Sequence, residues 1–302
     1  METIRIGMIG LDTSHASAFT KLLNNPETPF HVSGARVVKA FPAGSADYER
    51  SFTRIQKITQ EVQSYGVEIV SSLEEAVQDV DAVLLESVDG RVHLEQFRKI
   101  VSYRKPVFVD KPFATSVRDA GEIIGLSKES GTPVMSCSSL RFAENLQNAL
   151  SKKRGGSIIG AECFGPMEIE ETQPGYFWYG IHLIEMLYAV MGRGAKDVKT
   201  FSGIGDELLV SEWEDGRFGV IRGNKRGNFH YGCVLHFETG DEFIAVDASE
   251  KPFYASLLEQ VLAFFRDGKF RVDPDETLEI IRFIEAANKS MASGRLIPLD
   301  GK

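Results

Sequence analysis

The sequence predicts an α/β fold in two parts. The first is an N-terminal Rossmann-type doubly wound parallel sheet, and the second is a C-terminal α+β domain with a mostly antiparallel open sheet. Short apolar segments alternate with helical periodicity over the first half of the chain, and turn signals separate strand-like runs in the second half. The length of 302 residues also fits two domains. We expect a dinucleotide-binding domain over 1–120 and a substrate-binding and oligomerisation domain over 121–302.

In the first half, each apolar segment is followed by a stretch with helical periodicity, which is typical of parallel strands with right-handed crossovers. The predicted strands cover 4–9, 36–41, 82–85, 106–109 and 133–137. The predicted helices lie around 16–23, 48–65, 92–101 and 116–128, and a capping-box pattern at 72–75 opens another short helix. In the second half, Asp215-Gly216 and Gly240-Asp241 predict hairpin turns, and helices are expected near 254–265 and 275–293.

The composition narrows the class of protein. Hydrophobic residues make up 43% and charged residues 25% of the chain, as in soluble globular proteins. The net charge of −9 argues against a nucleic-acid-binding surface. Three cysteines without a CxxC pair suit a reducing compartment, and no apolar run is long enough to span a membrane. We therefore expect a cytoplasmic protein that binds neither nucleic acid nor membrane.

The loop after the first strand lies where open α/β sheets bind ligands. A dinucleotide fingerprint places glycines at three positions of this loop, and only Gly10 matches. Asp12 stands at the second position and His15 at the third. We predict that Asp12 caps the following helix, with Thr13 and Ser14 in its first turn. The alternative interpretation is a divergent cofactor loop.

A second motif ends the strand at 106–109, where Asp110, Lys111 and Pro112 follow a buried apolar segment. A lysine beside a site can hydrogen-bond a substrate hydroxyl and stabilise the charge that develops on it. A surface lysine is the alternative.

The order of these motifs resembles the Gfo/Idh/MocA family of oxidoreductases, which carry a Glu-Lys-Pro motif and a later Gly-x-His-x-x-Asp helix. Here Asp110-Lys111-Pro112 matches the first motif, and Gly180-Ile181-His182-Leu183-Ile184-Glu185 matches the second. The pair Arg141-Phe142 and the ending at 290–299 also match, so the resemblance covers nearly the whole chain.

The resemblance implies an NAD- or NADP-dependent oxidoreductase that acts on a sugar, a cyclitol or a related polyol, or on the matching ketone. Lys111 matches the catalytic lysine, and its bond to Pro112 is expected to be cis. His182 matches the histidine that exchanges a proton with the substrate hydroxyl. The second predicted strand ends without the acid that commonly binds the ribose diol, so the sequence does not choose between NAD and NADP.

The resemblance also implies the remaining site residues. The cofactor contacts are expected from Gly10, Asp12, Thr13, Ser14, His15, Ser87, His93, Asp110, Lys111 and Pro112. The substrate contacts are expected from Arg141, Trp178, Tyr179, His182 and Glu185. No metal site is expected, because His182 and Glu185 share a helix face without a third ligand. A homodimer or homotetramer is expected to form through the sheet of the C-terminal domain.

Three departures from the family pattern keep alternatives open. Asp12 and His15 replace glycines, and Trp178 stands where many members have a proton-relay acid. One alternative is a protein with the family fold that binds a sugar-like ligand or a partner without redox turnover. Another is a hydrolase or epimerase that recycles its cofactor.

Overall fold

The computed structural model describes residues 2–152 and 156–299 and divides the chain into two compact units. The first unit runs up to Cys137 and also contains Tyr254–Pro274. The second contains Ser138–Phe253 and the chain from Asp275 onward. The boundary predicted after residue 120 differs from this division, because the helix and strand over 117–136 continue the first sheet.

The first unit is built on a six-stranded parallel sheet in the order β3-β2-β1-β4-β5-β6. Its strands are β1 Ile4–Ile9, β2 Ala35–Phe41, β3 Glu68–Ile69, β4 Ala82–Leu85, β5 Val107–Val109 and β6 Val134–Ser136. Its helices are α1 Ser14–Asn24, α2 Glu49–Phe52, α3 Ile55–Ser64, α4 Leu73–Val77, α5 His93–Ile100, α6 Val117–Ser130 and, from far along the chain, α9 Phe253–Asp267. The predicted doubly wound parallel sheet is confirmed.

The strand order reverses direction at β1, which pairs with β2 on one side and β4 on the other. In open α/β sheets, such a switch point opens a crevice beyond the carboxyl ends of the strands. The loops after β1, β4 and β5 therefore share one edge of the sheet. They carry residues 10–13, 86–92 and 110–116.

The start of α1 differs from the sequence prediction. Thr13 is the N-cap, and its hydroxyl accepts the His15 amide at 3.4 Å. Asp12 does not cap the helix, because its carboxylate turns towards two other segments of the first unit.

The second unit is built on a seven-stranded sheet in the order β12-β11-β7-β10-β9-β8-β13. Within the described strands of this sheet, only the pairing of β7 with β10 is parallel, so the predicted mostly antiparallel sheet is confirmed. The strands are β7 Ile158–Pro166, β8 Asp197–Ser202, β9 Asp206–Glu212, β10 Phe218–Asn224, β11 Tyr231–Phe237, β12 Gly240–Val246 and β13 Ile297–Pro298. The helices are α7 Glu144–Ser151, α8 Gly180–Met191 and α10 Pro274–Ser293.

Helices α8 and α10 cover one face of this sheet. Leu183 of α8 lies against Gly165, and Leu187 lies against Gly219. From α10, Ser290 accepts the Thr200 amide at 2.8 Å. The opposite face carries exposed side chains. None of the helices in the described parts of the chain is long and apolar enough to cross a membrane.

Candidate functional site

Gly10 ends β1 in a conformation that favours glycine, with φ of +94°. A Cβ added there would lie 2.3 Å from the backbone nitrogen of Ser87 and 2.7 Å from its hydroxyl. The loops after β1 and β4 therefore approach each other through Gly10, and any side chain here would force them apart. Ser87 itself is buried, and its hydroxyl accepts the side-chain amide of Gln96 at 2.9 Å.

Asp12 bridges the crevice at the switch point. Its carboxylate accepts the Val88 amide at 3.0 Å and the Ser51 hydroxyl at 2.6 Å. Burial raises the pKa of Asp12 to about 6, against the lowering effect of these two hydrogen bonds. At neutral pH this carboxylate is charged and stands where a dinucleotide fingerprint has glycine.

A second buried acid, which the sequence did not indicate, ties the loop after β2 to the loop after β4. Asp89 accepts the Ser45 hydroxyl at 2.7 Å and the Arg91 guanidinium at 2.7 Å. Arg91 also pairs with Asp47 at 3.0 Å. This network holds the two loops together along the edge of the sheet.

His15 lies in the first turn of α1 and pairs with Asp110, with 2.8 Å between Nδ1 and Oδ2. Its ring stacks on Phe19 at 5.7 Å and meets the edge of Tyr254, from α9, at 4.8 Å. The residue at the third glycine position is thus held by the Asp110 carboxylate and two aromatic rings. Burial raises the pKa of Asp110, but the His15 ring and the neighbouring Lys111 ammonium outweigh it and lower that pKa overall.

Lys111 is buried at the carboxyl end of β5, and its bond to Pro112 is cis. The Asp110 carboxylate accepts the Lys111 amide at 2.8 Å. Burial lowers the pKa of Lys111, while the nearby Asp110 and Glu86 carboxylates oppose that change. The surface-lysine alternative is therefore wrong, since the side chain is 7% exposed.

Glu86 follows β4 and was not singled out by sequence analysis. It is fully buried, and neither side-chain oxygen has a hydrogen-bond partner among the described residues. Burial and the neighbouring Asp110 raise the pKa of Glu86 well above its ordinary value, although Lys111 counteracts them. An acid directly after an apolar strand is the signal that could have found it.

His93 begins α5 as a buried link between two loops. Its Nε2 lies 2.7 Å from the Ser87 carbonyl, and its Nδ1 lies 3.0 Å from the Pro112 carbonyl. Burial lowers the pKa of His93 against the raising effect of the Ser87 and Phe113 carbonyls. With both ring nitrogens facing backbone, His93 positions the Ser87 and Lys111-Pro112 loops.

In the second unit, His182 lies on the first turn of α8. Its Nδ1 is 2.6 Å from the Ser138 hydroxyl, and Tyr179 and Tyr231 flank the ring at 5.7 and 6.4 Å. Ser138 also accepts the Leu140 amide at 3.3 Å. With its second lone pair, the Ser138 oxygen can accept a proton carried on Nδ1, which places the ring's lone pair on Nε2. Sequence analysis did not identify Ser138 as the partner of His182.

Arg141 and Glu185 form a buried ion pair rather than an open binding surface. The Arg141 Nε lies 2.6 Å from the Glu185 carboxylate, and its other end lies 2.6 Å from Glu276 of α10. Burial raises the pKa of Glu185, against the lowering effect of Arg141.

The aromatic run before α8 is divided between core and partly exposed positions. Tyr176 and Phe177 are fully buried, and Tyr176 donates to Glu207 at 2.9 Å. Trp178 is also buried and meets Tyr179 edge-on at 5.9 Å. Tyr179 alone of the four retains intermediate exposure.

The predicted cofactor residues thus converge within the first unit, on the loops after β1, β4 and β5. The predicted substrate residues belong to the second unit, on α8, on the turn just before it and on the segment around 138–142. A parallel sheet with a glycine turn after β1 and a helix that begins at the crevice defines a Rossmann-type nucleotide-binding unit.

Comparison with known proteins agrees with this class. Residues 4–137 match the family described as "Oxidoreductase family, NAD-binding Rossmann fold". The resemblance to the Gfo/Idh/MocA oxidoreductases is thus confirmed over this segment, which is a little less than half of the chain.

A curated relative, an uncharacterized oxidoreductase YhhX of Escherichia coli K12, is 25% identical over 157 residues. That match covers 47% of this chain and 45% of the relative. The chain is therefore matched over less than half the length of this relative.

Two solved structures share the fold over nearly the whole chain. A probable dehydrogenase from Thermotoga maritima has a TM-score of 0.81 at 18% identity, covering 98% of this chain and 99% of that chain. Myo-inositol dehydrogenase from Lactobacillus casei, in complex with NAD(H) and myo-inositol, has a TM-score of 0.76 at 14% identity, covering 98% and 96%. At these identities the similarity shows a shared fold.

Proposed function

We propose that the protein is an NAD- or NADP-dependent oxidoreductase acting on a CH–OH group, or the matching ketone, of a sugar, a cyclitol or a related polyol. The observation that carries this proposal is Lys111, a buried lysine at the carboxyl end of β5 in a nucleotide-binding unit of an oxidoreductase family. The myo-inositol bound by a protein of the same fold supports the polyol class.

The first unit fits a dinucleotide at the glycine turn. Gly10 turns the chain sharply after β1 and lets this loop approach the backbone of Ser87, and a tight glycine turn at this place is part of the dinucleotide pattern. Ser14 is exposed at the start of α1, and a helix N-terminus favours phosphate. The residues that would hold the cofactor are Gly10, Thr13, Ser14, His15, Ser87, Asp110, Lys111 and Pro112. When bound, a nicotinamide supplies the hydride chemistry.

The protein's own groups would act on the substrate hydroxyl. Lys111 is proposed to donate a hydrogen bond to that oxygen and to stabilise its developing negative charge. His182 is proposed to exchange the hydroxyl proton through Nε2, with Nδ1 held by Ser138. Trp178 and Tyr179 precede His182 and are proposed to contact the substrate. Arg141 and Glu185 form an ion pair with each other. This supports a role in positioning the substrate-binding segment instead of direct contact with the substrate.

The first test is thermal unfolding with NAD, NADH, NADP or NADPH, each alone. A ligand that binds only the folded state at about 100 times its Kd adds about 2.7 kcal/mol, so the true cofactor should raise Tm by several degrees. A polyol screen then follows reduced-nicotinamide absorbance. No shift with any nucleotide, in a folded sample free of bound cofactor, would contradict the proposal.

The second test is Lys111→Ala. Loss of a group that assists proton transfer should lower kcat by roughly 10²- to 10⁴-fold. Lys105→Ala is the matched control, because Lys105 precedes the same strand at its opposite end. Unchanged turnover in Lys111→Ala would refute the proposed role of Lys111.

One observation favours a second candidate, a family-fold protein that binds a ligand or a partner without redox turnover. Asp12 places a carboxylate across the switch point, bound to Val88 and Ser51, and a carboxylate there repels phosphate. Cofactor binding separates the two candidates. A cofactor-recycling hydrolase or epimerase would bind the nucleotide but convert its substrate with no net absorbance change.

We further propose a homodimer or homotetramer formed through the uncovered face of the second-unit sheet. Three phenylalanines on that face are at least half exposed: Phe201, Phe218 and Phe243. The cytoplasmic location expected from the sparse cysteines stays a prediction.

A further inference from the structure

Three side chains at the carboxyl edge of the first sheet converge on one point. His15, Glu86 and Asp110 each offer one ligand atom, and these atoms lie within 4.8 Å of one another. The His15 Nδ1 and Asp110 Oδ2 atoms are 2.8 Å apart. The three residues come from α1 and from the ends of β4 and β5, so three separate elements of the unit bring them together.

Glu86 supplies an independent reason to expect a ligand. It is fully buried, and both of its carboxylate oxygens lack a hydrogen-bond partner among the described residues. An unpaired buried carboxylate is costly unless it takes up a proton or meets a cation. The side chain is directed at His15 and Asp110, so a cation there would contact all three residues.

The charges around Glu86 also favour a divalent ion. Its charged neighbours are Asp12, Asp110 and Lys111. With Glu86 itself and the His15 ring in the neutral form that binds metals, three ionised carboxylates stand against one ammonium, an excess of two negative charges. A divalent cation balances this excess.

The donor set selects the kind of metal. One imidazole with two carboxylates suits zinc, iron or manganese, whereas magnesium and calcium prefer oxygen ligands alone. Zinc holds nitrogen and oxygen ligands at about 2.0–2.2 Å. Neighbouring ligands on such an ion are then about 3 Å apart, close to the separation of His15 and Asp110. The ligand atoms of all three residues lie within 4.8 Å of one another, so the Glu86 carboxylate moves closer to the other two as it binds the ion.

We propose that His15, Glu86 and Asp110 bind one divalent transition-metal ion, with an open coordination position for water or a substrate oxygen. The site goes beyond the proposed function, which assigns no metal. It also gives a role to His15 and Glu86, which depart from the pattern of a plain dinucleotide loop.

The experiment uses the full chain, stripped of metal by a chelator and kept free of nucleotide. Zn²⁺, Mn²⁺ and Mg²⁺ are titrated separately by calorimetry, with thermal unfolding in parallel. We expect one equivalent of Zn²⁺ or Mn²⁺ to bind and raise Tm by degrees, and Mg²⁺ to bind far more weakly. No binding of Zn²⁺ or Mn²⁺ would overturn the proposal and would identify Glu86 as an uncharged buried acid.

Two variants locate the ion. Glu86→Gln and His15→Asn should each weaken binding by more than the roughly 10- to 100-fold lost when a residue supporting a ligand is removed. His236→Asn is the matched control, because His236 pairs with Asp241 at 2.7 Å and lies 3.8 Å from Glu162 at the surface. Loss of binding in His236→Asn, with binding kept in the other two, would overturn the proposal.

A spectroscopic measurement covers the case in which Glu86→Gln does not fold. Co²⁺ bound to the native chain should give visible absorption, and His15→Asn should change or remove it. An unchanged spectrum in folded His15→Asn would overturn the assignment of His15. Because no nucleotide is present, failure here is separate from failure of the proposed redox function.

Discussion

At the scale of a single residue, Asp12 makes the stability of the folded chain depend on pH. Burial raises its pKa from 3.8 to about 6 in the folded chain, so the folded state binds the proton more tightly than the unfolded state. The stability that this group contributes is complete below about pH 4 and is lost as the pH rises through about 6. The shift of about two pKa units corresponds to at most about 3 kcal/mol.

We predict that Asp12→Asn unfolds at higher urea concentration than the wild type above pH 6, and that the difference vanishes towards pH 4. The amide can still accept the Val88 N–H and meet the Ser51 hydroxyl, but it does not ionise. Urea unfolding at several pH values measures this difference. Asp119→Asn, in the first turn of α6, is the control. Parallel pH profiles for wild type and Asp12→Asn would show that the Asp12 carboxyl does not titrate in this range.

A second residue-scale prediction concerns Ser138, which we propose to position His182. Ser138→Ala removes the partner of Nδ1, so kcat should fall about 3- to 10-fold, which corresponds to one hydrogen bond, while KM changes little. The pH profile of kcat should also change, because the ring loses the group that fixes its tautomer. Ser138→Thr keeps the hydroxyl and should restore part of the rate.

The control for Ser138 is Ser139→Ala, a change at the next and similarly buried position. An equal loss of kcat in both variants, with the pH profile unchanged, would indicate a structural effect instead of a positioning role.

The residues of the site differ in how far the sequence could reveal them. Lys111 is found because Asp-Lys-Pro follows an apolar strand, a local pattern. Glu86 and Ser138 are not found, because each is recognised only by a residue that is distant in sequence. Glu86 lies near Asp110, 24 positions away, and Ser138 contacts His182, 44 positions away. Asp12 was located correctly but given the wrong partner, since Ser51 and Val88 reach it only through tertiary structure.

At the scale of elements, the sequence found the sheets and missed where tertiary contacts interrupt a helix. The stretch predicted as one helix over 48–65 is divided into α2 and α3. The Ser51 hydroxyl at this break donates to Asp12 and accepts the Ser45 amide at 2.7 Å. Helical periodicity indicates which face of a segment is buried. It carries no information about such hydrogen bonds, so it could not predict where the helix is interrupted.

Helix α9 carries a prediction at the same scale, because it belongs to the first unit although it follows the second unit's sheet in sequence. Its Tyr254 packs on Phe19 and His15, and its Arg266 donates to the Ser33 carbonyl at 3.3 Å. A polypeptide of residues 2–137 alone lacks the apolar contacts that α9 supplies. We predict that they do not unfold cooperatively, and that the same segment joined by a flexible linker to 254–274 does.

Circular dichroism during heating, with dye binding to exposed apolar surface, distinguishes the two polypeptides. A linked 254–274 segment with Tyr254→Ala is the control, and it should melt at a lower temperature than the unsubstituted fusion. Cooperative melting of 2–137 alone, at the temperature of the fusion, would show that α9 is dispensable for this unit.

At the scale of the whole molecule, the proposed oligomer forms through the uncovered face of the second sheet. The register places Phe218 of β10, Phe243 of β12 and Phe201 of β8 on one face. All three side chains are 54–64% exposed, and Phe243 also stacks on Phe164 at 6.0 Å. Burying one such ring against a partner contributes about 1.5–3 kcal/mol, so several rings on a repeated surface favour self-association.

We therefore predict that Phe243→Glu converts the oligomer into a monomer, because burying an unpaired carboxylate at the centre of an interface is strongly unfavourable. Sedimentation velocity over a range of protein concentrations measures the change, and circular dichroism checks that the sheet is intact. Phe52→Glu provides the matched control, since Phe52 of the first unit is 49% exposed and lies outside this sheet. An oligomer that persists in Phe243→Glu, or that dissociates equally in Phe52→Glu, would exclude this face as the interface.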